Sequence, residues 1–155
     1  MVELRPSGPV DTKSATVYDW VIMDSFAVKT GSRNELLDIT TQVRQALARQ
    51  KARSGICFVY VPHTTAAVTV NESYDPDVAK DIGDTLSRLV PDSARYAHAE
   101  GNADAHVKAS LVGSSVQIPV EDGELVLGQW QGIFFCEFDG PRQRRVSVKF
   151  LGDRT

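Results

Sequence analysis

Val116-Gln117-Ile118-Pro119-Val120-Glu121-Asp122-Gly123-Glu124-Leu125-Val126-Leu127 opens the closing third of this chain and decides its class. Val116, Ile118 and Val120 alternate, the period-two pattern of a half-buried strand. Glu121-Asp122-Gly123 is a hairpin signal, and Leu125-Val126-Leu127 reads as the returning strand. Gly128-Gln129-Trp130-Gln131 leads into Gly132-Ile133-Phe134-Phe135-Cys136-Glu137-Phe138, another strand. Asp139-Gly140-Pro141 then turns the chain, and Val146, Val148 and Phe150 alternate in a last strand.

Helices belong to the earlier part. Thr40 or Thr41 can cap a helix whose Ile39, Val43 and Leu47 fall on one face, running to about Gln50, with Arg44, Arg49 and Lys51 toward its cation-favouring end. Asp75, Pro76 and Asp77 start a second, with Val78, Ile82, Leu86 and Leu89 as its apolar stripe and Pro91 as its stop. Residues 105–112 read as a short third, ended by Gly113. Between the first two, residues 55–61 form an apolar strand that delivers His63, and residues 67–71 form another. Residues 16–29 read as one or two strands after a flexible extension over residues 1–15. The class is α+β: one domain over residues 16–155, a largely antiparallel sheet or sandwich, two main helices and a short third.

Composition narrows the function. A chain of 155 residues with 42% hydrophobic and 24% charged residues suits one globular domain. A net charge of -3 argues against nucleic acid as a partner. No apolar run approaches the ~20 residues that span a bilayer, and residues 1–15 lack the apolar centre of a signal peptide. The expectation is a cytoplasmic protein with no membrane partner. Cys57 and Cys136 sit in strand-like apolar runs and read as core residues, not as a disulfide or a reactive thiol.

All three histidines sit in polar signatures. His63 opens His63-Thr64-Thr65-Ala66-Ala67, and His98 and His106 bracket His98-Ala99-Glu100-Gly101-Asn102-Ala103-Asp104-Ala105-His106. Three imidazoles plus water is the donor set of a catalytic zinc site; the alternative is separate loop histidines that bond locally. Glu72 is a candidate general acid/base or ligand to a hard cation such as magnesium, whereas Asp75 and Asp77 have helix-start roles. Asn102 or Asp104 could orient an imidazole or bind substrate. Trp130 reads as a core residue. Glu137, flanked by phenylalanines, needs a basic partner if it points inward, and Arg142, Arg144 and Arg145 are at hand. Those arginines could instead grip a phosphate, or form a solvated turn.

Taken in order, these motifs resemble the YjbQ-like family, whose members are commonly described as secondary thiamine-phosphate synthases. The matching segments are Asp38-Ile39-Thr40, residues 55–67 with the His63 motif, Asn71-Glu72 with Asp75-Pro76, Leu89-Val90-Pro91 and Asn102-Ala103-Asp104-Ala105-His106. They continue with Leu111-Val112-Gly113-Ser114-Ser115, residues 123–131 and Glu137-Phe138-Asp139-Gly140-Pro141-Arg142. The resemblance implies a jelly-roll-like sandwich, a homotrimer and a His-rich pocket for a divalent metal. In that pocket His63, His98 and His106 would bind metal, zinc foremost, with magnesium accompanying substrate. His63, Glu72, Asp104 and His106 would be catalytic, and Asn102, Trp130, Glu137 and Arg142 would contact substrate. The implied activity joins a pyrimidine diphosphate to a thiazole phosphate. The dedicated enzymes of that reaction are TIM barrels of ~250 residues, a scaffold this chain is too short to build. The competing expectations are a non-catalytic binder of metal or small anions and a metal-dependent hydrolase.

Overall fold

The computed structural model describes residues 23–155, so the N-terminal extension and residues 16–22 of the first expected strand lie outside it. The element order is β1 (Asp24–Lys29), β2 (Glu35–Asp38), α1 (Thr40–Arg49), β3 (Ala52–Tyr60), β4 (Ala66–Glu72), α2 (Pro76–Leu89), α3 (Ala103–Val112), β5 (Ser115–Glu121), β6 (Glu124–Leu125), β7 (Gln131–Glu137) and β8 (Gln143–Arg154). Every strand pair is antiparallel. The strands form a five-stranded sheet, β1-β8-β3-β5-β6, and a three-stranded sheet, β2-β7-β4.

The alternation read from the sequence places the inner faces. Cys57 and Val59, Ile118 and Val120, and Val146, Val148 and Phe150 point inward from the five-stranded sheet. They meet Ala66, Val68, Ile133 and Phe135 from the three-stranded sheet and Ile39, Val43, Ala46 and Leu47 from α1. β7 does not alternate because it is buried on both faces. Its Phe134 and Cys136, with Phe138 just beyond, face outward onto Ala105 and Ala109 of α3. Gln50 links α1 to the last strand: its Nε2 donates to Val148 O and its Oε1 accepts from Phe150 N–H, both at 3.0 Å. The two cysteines are buried free thiols, and burial pushes both up to about 12.

Several expectations are corrected. The N-cap of α1 is Ile39. Neither Thr40 nor Thr41 caps it: Asp38 Oδ1 accepts from Thr40 N–H at 2.8 Å, and Thr40 Oγ1 accepts from Ile133 N–H at 2.8 Å. The strand expected over residues 125–127 is the two-residue β6. α3 starts two residues early, at Ala103. α2 starts as read, with Asp75 accepting from Asp77 N–H. None of its residues is fully buried, because only Ala79 and Leu86 pack on the second core cluster. Trp130 is not core but 56% exposed. Among the described residues no helix is long and apolar enough to cross a membrane.

In the β3–β8 pair Gly55 faces Gly152. A Cβ on Gly55 would lie 2.2 Å from Leu151 O, at φ +159°. Gly55→Ala should therefore destabilise the fold by about 1–3 kcal/mol through forced backbone shifts. Urea denaturation followed by circular dichroism measures it; a midpoint equal to that of the unmodified chain would mean the strands separate without cost.

Candidate functional site

The site begins with a charge sealed between the sheets. Glu137 ends β7 fully buried. Arg144 of β8 donates to it through Nε at 2.7 Å and Nη2 at 2.5 Å. Thr30 Oγ1 donates to Oε2 at 3.1 Å, and the N–H groups of Phe138 and Asp139 donate to Oε1 at 3.1 and 3.0 Å. Arg144 Nη2 also reaches Thr65 Oγ1 at 2.9 Å. Burial pushes the Glu137 pKa up, but Arg144, the Asp139 N–H and Thr30 outweigh it and hold the carboxyl below its ordinary value. The sequence required a basic partner for Glu137, and strand parity could have named it. Extending Val146-Val148-Phe150 back by two residues turns Arg144 inward and Arg145 outward.

That parity places His63. Pro62 carries the chain out of β3, and His63 Nε2 accepts from the backbone N–H of Arg145 at 2.9 Å. With Nε2 accepting, a neutral ring carries its proton on Nδ1. Partial burial and the nearby Arg144 charge lower the His63 pKa below its ordinary value, so the ring is neutral at pH 7. His63 stands between two clefts. One, of about 660 Å³, is bounded by Ser25, Ala27, Gln143 and Arg145. The other, of about 510 Å³, is bounded by Thr64, His106, Ser110 and Ser114.

His106 comes from α3, which a second buried charge cluster anchors. Asp104 and Lys108 are both about 1% exposed, with Lys108 Nζ 2.8 Å from Asp104 Oδ2. Arg33 Nη2 donates to Asp104 Oδ1 at 2.9 Å. Burial raises the Asp104 pKa, and Lys108 and Arg33 more than reverse it. Asp104, expected to be catalytic, is thus held by two cations away from any open surface. Asn102 Nδ2 donates to Asp139 Oδ2 at 3.0 Å. Arg142, expected to hold a phosphate, donates to the same oxygen at 2.8 Å and to Asp139 O at 2.7 Å. Burial raises the Asp139 pKa, and Asn102 and Arg142 bring it below its ordinary value.

The expected residues fall into two groups. His63 and His106 share a cleft, the rings of His98 and His106 meet edge-on at 5.3 Å, and Glu137, Asp104, Asn102 and Arg142 lie in the polar framework at the same end. Glu72 and Trp130 line a different hollow with Tyr74. β4 separates that hollow from the His63 end by about 20 Å, six rises of a strand. The three histidines do not fit one zinc ion as arranged. His63 Nε2 is taken by Arg145, and among the described residues no three His, Cys, Asp or Glu side chains form a group that could hold a metal. Arg145, Thr65, Arg33 and Lys108 were not singled out by the sequence as individual site residues; for the last two only the fold reveals their burial.

The chain belongs to the YjbQ-like UPF0047 family, whose model matches residues 24–153. A UPF0047 protein of Methanocaldococcus jannaschii is 51% identical over 129 residues, covering 83% of this chain and 94% of that one. The UPF0047 protein YugU of Bacillus subtilis is 45% identical over 132 residues, covering 84% and 100%. Among solved structures, a conserved protein of this family from Clostridium acetobutylicum superposes with TM-score 0.81 at 48% identity, covering 83% and 99%. A hypothetical protein of Aeropyrum pernix gives TM-score 0.82 at 41% identity, covering 86% and 100%.

Two measurements check the site's electrostatics. Glu137→Ala leaves the Arg144 guanidinium buried and unpaired and should cost about 3–5 kcal/mol; a loss under 1 kcal/mol would mean that water reaches Arg144. His63, with its folded pKa below the unfolded 6.5, contributes stability fully above pH 7 and loses it as the pH falls below 6.5. Stability of His63→Gln should therefore fall less steeply between pH 7 and pH 5 than that of the unmodified chain. Parallel curves would contradict the lowered pKa.

Proposed function

We propose that this protein is a small-molecule enzyme that works by hydrogen bonding and proton transfer at the His63–His106 cleft. The observation that carries the reading is the Arg145 N–H to His63 Nε2 bond. It fixes the ring and its tautomer, so that Nδ1–H is a preset donor. A neutral imidazole N–H polarises a phosphoryl or heterocyclic oxygen without itself being discharged. Arg145 gives the adjoining cleft a positive wall suited to an anionic group. His106 is the second imidazole in reach and takes or gives the proton. Glu137 and Asp104 act as positioning residues: they hold Arg144 and α3, and so the two rings, in register.

The substrate class is a small phosphorylated or heterocyclic molecule. The reaction tested first is the one the family resemblance names, thiamine phosphate from a pyrimidine diphosphate and a thiazole phosphate with magnesium. Arg145 replaces Arg142 in this reading as the phosphate contact, because Arg142 is committed to Asp139. The competing reading, a passive binder of small anions, is favoured by the openness of both clefts.

Turnover by the purified chain should fall by about 10²–10⁴-fold in His63→Ala and in His106→Ala, the ordinary weight of acid–base catalysis. Arg145→Ala should chiefly raise KM. Equal turnover in the unmodified chain and His63→Ala would rule the cleft out as the site of that reaction. Binding seen by calorimetry, lost in His63→Ala and accompanied by no turnover, would establish the passive binder instead.

A further inference from the structure

The hollow at the far end of β4 has no part in the function proposed for the His63 cleft, and its chemistry is of another kind. It holds about 470 Å³ and is lined by Glu72, Tyr74, Asp75, Pro76 and Trp130. Tyr74 is 82% exposed and Trp130 56%. A single exposed apolar side chain is ordinary. Two aromatic rings sharing one hollow with two carboxylates are a pattern that the packing of the core does not explain.

The backbone holds the rings there. Ser73 N–H donates to Trp130 O at 2.8 Å and ties the loop after β4 to the turn before β7. That turn is closed twice: Gln131 N–H donates to Gly128 O at 3.0 Å, and Gln131 Oε1 accepts from Gly128 N–H at 2.7 Å. Ser73 lies directly on β7 at Gly132, where an added Cβ would come within 2.6 Å of the Ser73 Cβ. On the other side Asp75 Oδ1 accepts from Asp77 N–H at 2.9 Å and caps α2. Tyr74 therefore sits between two fixed points, and Trp130 projects from a closed turn.

We propose that this hollow binds a small organic cation of the quaternary-ammonium class, with its alkyl groups against Tyr74 and Trp130 and its charge offset by Glu72 and Asp75. Charge selects the class first: the lining holds two carboxylates and no lysine or arginine, so it disfavours anions. Softness selects it second. A hard cation such as calcium takes about six to eight oxygen ligands, and among the described residues no three His, Cys, Asp or Glu side chains form a group that could hold a metal. A bulky, weakly hydrated cation needs no such shell, because the faces of tryptophan and tyrosine attract it directly. The hollow stands about 20 Å from the His63 end along β4, and this site does not rest on the catalytic role of that cleft.

The test is calorimetry of the full chain with choline at fixed ionic strength, run beside 3,3-dimethyl-1-butanol, the uncharged carbon counterpart of choline. Choline should bind saturably and the alcohol should not, and magnesium at matched ionic strength should not displace choline. Trp130→Ala should weaken choline about fivefold or more, the weight of one cation–ring contact. Trp130→Phe keeps a ring and should retain part of that affinity. Glu72→Gln should weaken choline as well, and more at low salt than at high. Circular dichroism of each variant should match that of the unmodified chain, since Trp130 is half in water. In NMR, the indole N–H signal that Trp130→Phe removes should move as choline is added. His63→Ala should bind choline as the unmodified chain does, so a failed turnover assay leaves this site standing and a failed choline titration leaves the His63 cleft standing. Absence of saturable binding, equal binding of the alcohol, displacement by magnesium, unchanged affinity in Trp130→Ala or loss of binding in His63→Ala overturns the proposal.

Discussion

The buried bond between Glu137 and Arg144 is the constraint on which the working end of this molecule depends. A carboxylate sealed between two sheets would cost several kcal/mol without compensation. Here a two-pronged guanidinium, a threonine hydroxyl and two backbone N–H groups satisfy it. Those donors come from β8, the turn after β1 and the turn that follows β7, and Arg144 carries the link on to Thr65. Removing one partner strands a charge, so the pair holds these segments in one arrangement as a unit.

That rigidity passes directly to the chemistry. Arg144 faces inward, so its successor Arg145 faces outward, and it is the Arg145 N–H that fixes His63. On the other side of the cleft, Asp104 binds Lys108 one helical turn away and Arg33 from the β1–β2 connection, which seats α3 and with it His106. The Asp139 turn completes the framework by gathering Asn102 and Arg142. The carboxylates at this end are thus spent on position, and the imidazoles are left to meet a ligand.

Much of this was legible in the residues. The four-residue spacing of Ile39, Val43 and Leu47 gave α1, Asp75-Pro76-Asp77 gave the start of α2, and alternation gave β5 and the inner face of β8. The isolated Glu137 in a phenylalanine run announced a buried ion pair. Other features were opaque because local pattern cannot report what lies on the second side of a strand or helix. β7 lost its alternation to helices covering its outer face. Trp130, large and apolar, was expected in the core and stands at the surface. α2 carries a full apolar stripe, yet the sheet covers only part of it.

The sequence by itself determined the class, the order of the elements apart from the short β2, the inward sets of side chains and the residues able to do chemistry, because periodicity and side-chain type act over a few neighbouring positions. Only the tertiary structure decided which of those residues meet. It joined His63 to His106, committed Arg142 and Asp104 to internal partners, and put Glu72 and Trp130 at the far end of β4. Those outcomes depend on antiparallel register and strand parity between segments dozens of residues apart. A one-residue change of register would turn Arg144 outward and leave Glu137 alone in the core.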